Sequence, residues 1–199
     1  MSAVRASVET PSGLAQLRDL EEQDVELITN YWFESGDAHL DFLGIDRRLL
    51  GSREDTNARF RIAIPGGDAN QMRLAFAITL DGGFIGYTLL NRFDAQTNYS
   101  HWHITESARR AAGLSSVLYP WRIRTYFEAA PIERLIHQTR TRNLAVNRML
   151  DKFVPVAETV YLEHPDGVAL PGEFHQRYVH RADVPRLFEI AAYRSGMGK

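Results

Sequence analysis

One stretch of the chain constrains its fold more than any other, RLAFAITLDGGFIGYTLL at residues 73–90. It consists of two runs rich in strand-forming residues on either side of Asp81-Gly82-Gly83. Aspartate and glycine tolerate the positive φ angles that a tight hairpin turn requires. The stretch therefore predicts a β-hairpin near the middle of the chain.

Further strand and helix patterns surround this hairpin. Before it, the sequence predicts a short strand over 14–20, a helix capped by Asp24, and a short helix near 46–50. After it, the sequence predicts a strand over 98–105, a helix over 115–129, a strand over 133–140, an amphipathic helix over 144–153, and closing strands over 154–162 and 174–180. This order predicts an α/β (α+β) fold in which helices flank a mixed sheet.

Composition narrows the domain organisation and the function classes. The 199 residues, 44% of them hydrophobic, suit one domain over 14–199, preceded by a polar, flexible N-terminal tail over 1–13. A net charge of −2 and the lack of a basic, aromatic-rich patch predict no nucleic-acid partner. There is no cysteine, no secretory signal and no apolar run long enough to span a bilayer, so we expect a cytoplasmic protein without membrane contact.

A junction between a strand and a helix carries the strongest functional signal, HWHITESARRAAGLSS at 101–116. Arg110 and Gly113 flank a run of small residues, which would let a ligand approach the backbone closely. The free amides and the dipole of a helix's first turn favour a pyrophosphate at this place. The segment lacks the Lys-Ser/Thr pair of a nucleoside-triphosphate loop and the G-x-G-x-x-G run of a dinucleotide fold.

On these residues the chain resembles the Gcn5-related N-acetyltransferases. Their signature, Arg/Gln-x-x-Gly-x-Gly/Ala before the third helix, is matched by Arg110-x-x-Gly113-x-Ser115 except at its last position. The family also has an asparagine that opens a helix about thirty residues later, where this chain has Asn143. With the hairpin, the early helix and the closing strands, the resemblance covers roughly residues 14–181.

The resemblance implies acetyl-CoA as the acyl donor and a set of residues that bind it. The third helix would hold the pyrophosphate, the strand before it would pair with the pantetheine arm, and an asparagine would lie beside that arm. By that resemblance the coenzyme site comprises Ile104, Thr105, Arg110, Ala111, Ala112, Gly113, Leu114, Ser115, Ser116 and Asn143.

The chain departs from the family pattern at four places. Ser115 replaces glycine or alanine, and Pro120 removes an amide, which predicts a helix that starts late, near Ser116. The tyrosine that many members use as general acid is Leu150 here. Lys152-Phe153 replaces the closing Gly-Phe of the family. These departures leave the general acid unassigned.

Two histidines are the candidate catalytic residues. His101 and His103 lie on one face of the predicted strand, where the resemblance places a base that deprotonates the acceptor amine. The alternatives are a pair of histidines that only shape the pocket, or a metal-binding pair, for which no further ligand spacing is evident. Tyr119 and Tyr126 are candidate general acids, although their spacing favours core packing.

The sequence thus predicts an N-acyltransferase that moves an acetyl group from acetyl-CoA to a primary amine by direct attack, without metal. The acceptor, a small molecule or a peptide, would be defined by the segments 33–60 and 163–175, because loops on a shared scaffold carry specificity. A catalytically inactive acyl-CoA-binding module and another CoA-thioester enzyme remain open. The oligomeric state is undetermined, with a homodimer among the possibilities.

Overall fold

A sheet of eight strands forms the centre of the computed structural model, which describes residues 2–64, 73–92, 94–105, 113–165 and 167–194. Within these residues the spatial order is β1-β2-β3-β4-β5-β6-β8-β7, and every neighbouring pair except β5 and β6 is antiparallel. The strands are β1 (Val4–Thr10), β2 (Gly13–Asp19), β3 (Arg73–Leu80), β4 (Gly83–Arg92), β5 (Thr97–Ile104), β6 (Arg134–Arg140), β7 (Glu158–Leu162) and β8 (Gly172–His180).

Helices cover both faces of this sheet and enclose buried hydrophobic side chains on each face. The first face is covered by α1 (Glu22–Glu34), α2 (Asp37–Leu43) and α3 (Arg53–Arg61), which pack on inward residues of β3 and β4. The second face is covered by α4 (Leu114–Ala129), α5 (Leu144–Leu150) and α6 (Val184–Arg194). None of the helices in the described ranges is long and apolar enough to cross a lipid bilayer.

The predicted hairpin is confirmed as β3 and β4. Leu80 lies opposite Gly83, and the two turn residues, Asp81 and Gly82, have φ angles of 49° and 82°. Positive φ at both positions is the geometry of a type I′ turn, whose twist matches that of the flanking strands. The mixed sheet flanked by helices is also as predicted.

A fork between β5 and β6 is the feature that positions the functional site. The two strands run parallel but pair only from Thr97 to Tyr99, opposite Arg134 to Ile136. Both strands are described throughout, and both continue for several residues past the last pair, to Ile104 and Arg140. The sheet is therefore splayed open at its centre.

The N-terminal segment corrects a prediction. Residues 4–10, expected to belong to a flexible tail, form strand β1, which pairs antiparallel with β2. Ala6 is buried and Arg5 forms an ion pair with Asp19 at 2.7 Å. The pattern is hard to detect in the sequence because an edge strand with one solvent-facing side carries few large apolar residues.

Further differences concern the helices. Glu21 caps α1, and Asp24 lies at the third helical position, where its carboxylate accepts the Glu21 N–H at 2.8 Å. The helix expected over 46–50 is a single 3₁₀ turn, Arg47–Leu49, while α3 and α6 were not predicted. Helix α4 begins at Leu114 rather than near Ser116, so Pro120 lies inside it.

Candidate active site

A cavity of about 1080 Å³ lies at the fork and reaches both faces of the sheet. On the first face its wall includes Trp32 of α1 and Leu89 of β4. On the second face it includes Met149 and Leu150 of α5 and Arg122 of α4. Since these residues belong to cores on opposite faces of the sheet, the cavity passes through the sheet between the diverging strands. Two ligands that enter from opposite faces can meet there.

Two segments predicted to define the acceptor side form one wall of this cavity. Residues 33–60 and 163–175 join through a bridge between Ile45 and Ala169, flanked by backbone hydrogen bonds between Asp46 and Val168 and between Leu170 and Gly44. Side chains of both segments line the cavity. Gly44 has a φ of 73°, and a Cβ there would collide with Arg140, so only glycine fits.

His103 is held among aromatic rings on the first face of the sheet. Its ring centroid lies 4.8 Å from that of Trp32, 5.2 Å from that of Tyr87 and 5.7 Å from that of Tyr31. The Tyr31 hydroxyl lies 3.4 Å from Nδ1 of His103 and 3.0 Å from Nε2 of His39. The two imidazoles and the phenol thus form a chain of hydrogen-bonding groups that begins in the cavity wall.

His101 lies two residues beyond Tyr99, the last residue of β5 that pairs with β6, and its side chain lines the cavity. Its carbonyl accepts hydrogen bonds from the Thr88 hydroxyl at 2.9 Å and from the Tyr126 hydroxyl at 3.3 Å. Both donors are buried, so the backbone that carries His101 is fixed at the mouth of the fork. The structure therefore brings the two predicted histidines into one cavity.

The predicted pyrophosphate turn is only partly described. Arg110, Ala111 and Ala112 lie outside the described residues. Gly113 caps α4 with a φ of 71°, and a Cβ there would meet nothing within 4 Å, so its backbone angle rather than space requires glycine. Leu114 is buried, while Ser115 and Ser116 remain partly exposed in the first turn. The Lys152 ammonium donates to the Ser116 hydroxyl at 2.9 Å.

The other predicted coenzyme residues lie along the fork. Asn143 lines the cavity and caps α5 by accepting the Val146 N–H at 3.3 Å. The Thr105 N–H donates to the Ile85 carbonyl at 2.9 Å, so it faces β4. Because backbone groups alternate in direction along an antiparallel strand, those of Trp102 and Ile104 point away from β4. Ile104, Thr105 and residues 113–116 do not belong to the cavity wall.

The candidate general acids do not reach the cavity. Leu150, at the position of the family's tyrosine, is part of the cavity wall, but its side chain has no proton to donate. Tyr119 and Tyr126 are fully buried outside the wall, and burial raises the pKa of both, that of Tyr126 to about 12. Tyr119 stacks on Phe153 at 4.7 Å. Both tyrosines thus belong to the core, the alternative that their helical spacing favours.

His137 and Arg122 are two of the polar residues in the cavity wall that were not identified from sequence. His137 of β6 is 2% exposed and bonds through Nε2 to the Tyr119 hydroxyl at 2.9 Å. Burial lowers its pKa well below the usual value, and the charges of Arg122 and Arg177 lower it further. Arg122 is also 2% exposed. The alternation of strand residues 133–140 was the one available signal for His137, and nothing local distinguishes Arg122 from a surface arginine of α4.

The charges of the wall are of one sign. Arg59, Arg122 and Arg140 belong to it, and across the described ranges it includes neither aspartate nor glutamate. Within the same ranges no three side chains of histidine, aspartate or glutamate are grouped so that they could hold a metal ion.

Comparison with known proteins decides the fold. No family model matches the sequence, and no curated protein is similar to it. Among solved structures, Mycobacterium smegmatis RimJ in complex with CoA-disulfide is 17% identical, with a TM-score of 0.72 over 98% of this chain and 95% of that one. Aminoglycoside acetyltransferase AAC(6')-Ib in complex with coenzyme A is 16% identical, with a TM-score of 0.66 over 86% and 98% of the two chains.

A chimera of Vibrio cholerae spermidine N-acetyltransferase SpeG and hSSAT is 12% identical, with a TM-score of 0.67 over 86% of this chain and 98% of that one. The chain has the fold of a Gcn5-related N-acetyltransferase. In terms of this fold, the fork between β5 and β6 is the splayed centre of the sheet, and α4 is the helix that follows the signature.

Proposed function

We propose that this chain is an acyl-CoA-dependent N-acyltransferase that transfers an acetyl group from acetyl-CoA to a primary amine. The observation that carries the proposal is the cavity at the fork, which reaches both faces of the sheet and has His101 and His103 in its wall. The shared fold with acetyltransferases in complex with coenzyme A supports it. A small-molecule or peptide amine would enter from the face of α1 to α3, and the coenzyme from the face of α4 and α5.

The first turn of α4 would bind the coenzyme phosphates. Gly113 and the amides of 114–116 offer hydrogen-bond donors at the positive end of the helix dipole, with Arg110, Ala111 and Ala112 before them. Lys152, beside Ser116, adds a cation. The pantetheine arm would continue beside β5 and pass Asn143 on its way to the cavity.

His101 would act as the general base. The amine must lose a proton because an ammonium has no lone pair with which to attack a thioester, and an imidazole titrates near neutral pH. The amine nitrogen would then bond to the thioester carbon, the carbon–sulfur bond would break, and the products would be an amide and CoA. His103, linked through Tyr31 to His39, would pass the proton toward the surface.

The reaction also develops negative charge on the thioester carbonyl oxygen and on the leaving sulfur. Backbone amides beside His103, those of Trp102 and Ile104, would polarise the thioester carbonyl. No hydroxyl is present at Leu150 to protonate the leaving sulfur. A thiol with a pKa of about 8.5 leaves readily as a thiolate, so the reaction can proceed without a general acid at that place.

Calorimetric titration with acetyl-CoA tests the coenzyme site. Ser116→Glu places a negative charge in the first turn of α4, and we expect it to weaken binding at least about 10-fold through repulsion of the phosphates. Val117→Glu, the matched control, adds the same charge at the next residue, which is exposed, and should change the affinity less than about 3-fold. Wild-type protein that does not bind acetyl-CoA would refute the proposal.

An acyl-CoA-binding module without transferase activity is the second candidate, and the missing hydroxyl at Leu150 favours it. The two candidates differ in one measurement. Release of free thiol from acetyl-CoA, followed over a panel of primary amines, should depend on the amine if the chain is a transferase. Tight binding with no turnover for any amine would support the module, and turnover without amine would indicate thioester hydrolysis.

A further inference from the structure

Arg122 is a buried cation without a partner among the described residues. It lies on α4, is 2% exposed, and its guanidinium stacks over the rings of Trp102 at 4.5 Å and Tyr119 at 5.3 Å. Its Nε is buried without a hydrogen bond, and no carboxylate of the described chain forms an ion pair with it. Arginine stays protonated in proteins, and a buried charge is costly unless it is paired.

The other two buried arginines among the described residues, Arg140 and Arg177, also have a buried Nε without a hydrogen bond, but their terminal nitrogens donate to the protein itself. Arg177 is fully buried and donates to Thr139, Asn147 and Asp151 at 3.1, 3.0 and 2.7 Å. Arg140 donates to two backbone carbonyls of the segment 163–175. Arg122 differs from both, since no described residue accepts a hydrogen bond from it and the aromatic faces beside it carry no net negative charge.

Arg122 faces the cavity, where a counter-ion could bind. Arg122 is part of the cavity wall, and the wall contains no carboxylate within the described ranges. Its neighbour His137 does not compensate, because burial and the adjacent arginines lower the pKa of its imidazole and keep it neutral near pH 7. None of the described residues thus supplies an anion that balances Arg122, and a ligand in the cavity can supply it.

We propose that Arg122 binds a carboxylate group of a substrate that occupies the cavity. The proposal deepens the proposed N-acyltransferase function and rests on it. One guanidinium matches one carboxylate in both charge and shape, through two parallel hydrogen bonds. The carboxylate has two possible sources, the far end of a dicarboxylic acyl chain on coenzyme A or an amino acid that serves as the acceptor.

The proposal also separates this chain from two proteins that share its fold. The names of AAC(6')-Ib and SpeG describe acetyltransferases for aminoglycosides and spermidine, which are polycations. A wall with three arginines and no described carboxylate repels a polycation. We therefore expect spermidine to be a poor acceptor here.

Calorimetry with matched ligands tests Arg122 and distinguishes the two sources. The donor arm compares succinyl-CoA with butyryl-CoA, which has the same chain length without the carboxylate. The acceptor arm compares L-amino acids with their carboxamides, both with CoA present and without it. We expect wild type to bind the carboxylate member of one arm at least about 10-fold more tightly than its neutral partner.

Variants then assign the preference to this side chain. Arg122→Met should abolish it while acetyl-CoA affinity is unchanged, and Arg122→Lys should keep part of it. Arg124→Met, the matched control, removes a charge from the same helix outside the cavity wall and should preserve it. Thermal unfolding of each variant verifies that it folds.

The other outcomes separate failure of carboxylate binding from failure of the proposed function. Equal affinity within both ligand pairs refutes carboxylate binding, although the acetyltransferase proposal survives if acetyl-CoA binds. An equal loss for acetyl-CoA and succinyl-CoA in Arg122→Met would assign the cation to the coenzyme instead. If acetyl-CoA does not bind at all, the proposed function fails, and the acceptor arm without CoA still decides whether Arg122 holds a carboxylate.

Discussion

Two buried arginines lie on the same side of the sheet but in different regions. In one region the protein supplies hydrogen-bond acceptors for the guanidinium, and in the other no described residue does. Beneath α5, Arg177 bonds to Thr139, Asn147 and Asp151, so that strand β8, strand β6 and helix α5 are joined through one side chain. At the fork, Arg122 is similarly buried and stacks on the rings of Trp102 and Tyr119, and no described residue accepts a hydrogen bond from it. Burial alone therefore does not reveal a functional residue, whereas burial without a partner points to a ligand.

The largest expected effect concerns activity at the fork. His101→Gln should lower kcat by about 10²- to 10⁴-fold, the range of a lost general base, with little change in stability because the carbonyl of residue 101 keeps its hydrogen bonds. His175→Gln, a histidine of β8 outside the cavity wall, should leave kcat unchanged. Steady-state kinetics with the best amine measures both. Full activity in His101→Gln would remove this histidine from the mechanism.

The comparison of the two arginines predicts opposite results in unfolding experiments. Arg177→Met should lower the free energy of unfolding by about 3 kcal/mol, because Asn147 and Thr139 lose a buried donor. Arg122→Met should change it by less than about 1 kcal/mol, since an apolar side chain replaces a cation without a partner. Urea unfolding of the two variants decides. A large loss in Arg122→Met would show that its ring contacts stabilise the fold.

The smallest expected effect concerns the pH dependence of stability that arises from His137. The charges of Arg122 and Arg177 both lower the pKa of this residue. Its pKa is depressed in the folded protein, so below its unfolded value of about 6.5 the unfolded chain binds more protons. Stability should therefore decrease as the pH falls below about 6.5, by up to about 1.4 kcal/mol per pH unit from this residue. His137→Gln should show a shallower decrease between pH 6.5 and 5 than wild type does. Identical slopes would contradict the assigned neutral state.

The parts of the fold that the sequence predicted correctly have local causes. The hairpin depends on the φ angles of Asp81 and Gly82, and the start of α5 depends on the side chain of Asn143, which bonds three residues ahead. Strand β1 was missed because its stability comes from pairing with β2 rather than from its own pattern. Helix α4 tolerates Pro120 in its interior, although local propensity argues against it.

The candidate site likewise has residues that a local pattern predicts and contacts that no local pattern predicts. His101 and His103 could be predicted because alternation along one strand places them on one face. Arg110, Ala111 and Ala112, predicted for the coenzyme site, stay predictions. The contact of Tyr31 with His103 joins residues 72 positions apart, and the bridge between Ile45 and Ala169 joins two distant segments. No local pattern encodes such pairs.

The sequence by itself thus determined the order of strands β2 to β8, the hairpin, and the strand face that carries the two histidines. Only the tertiary structure decided that β5 and β6 separate beyond Tyr99, that a cavity fills the gap, and that Arg122 reaches it with no counter-ion among the described residues. The physical reason is that φ preferences, capping and alternation act over a few residues. The charge balance of a buried group depends instead on every segment that packs around it.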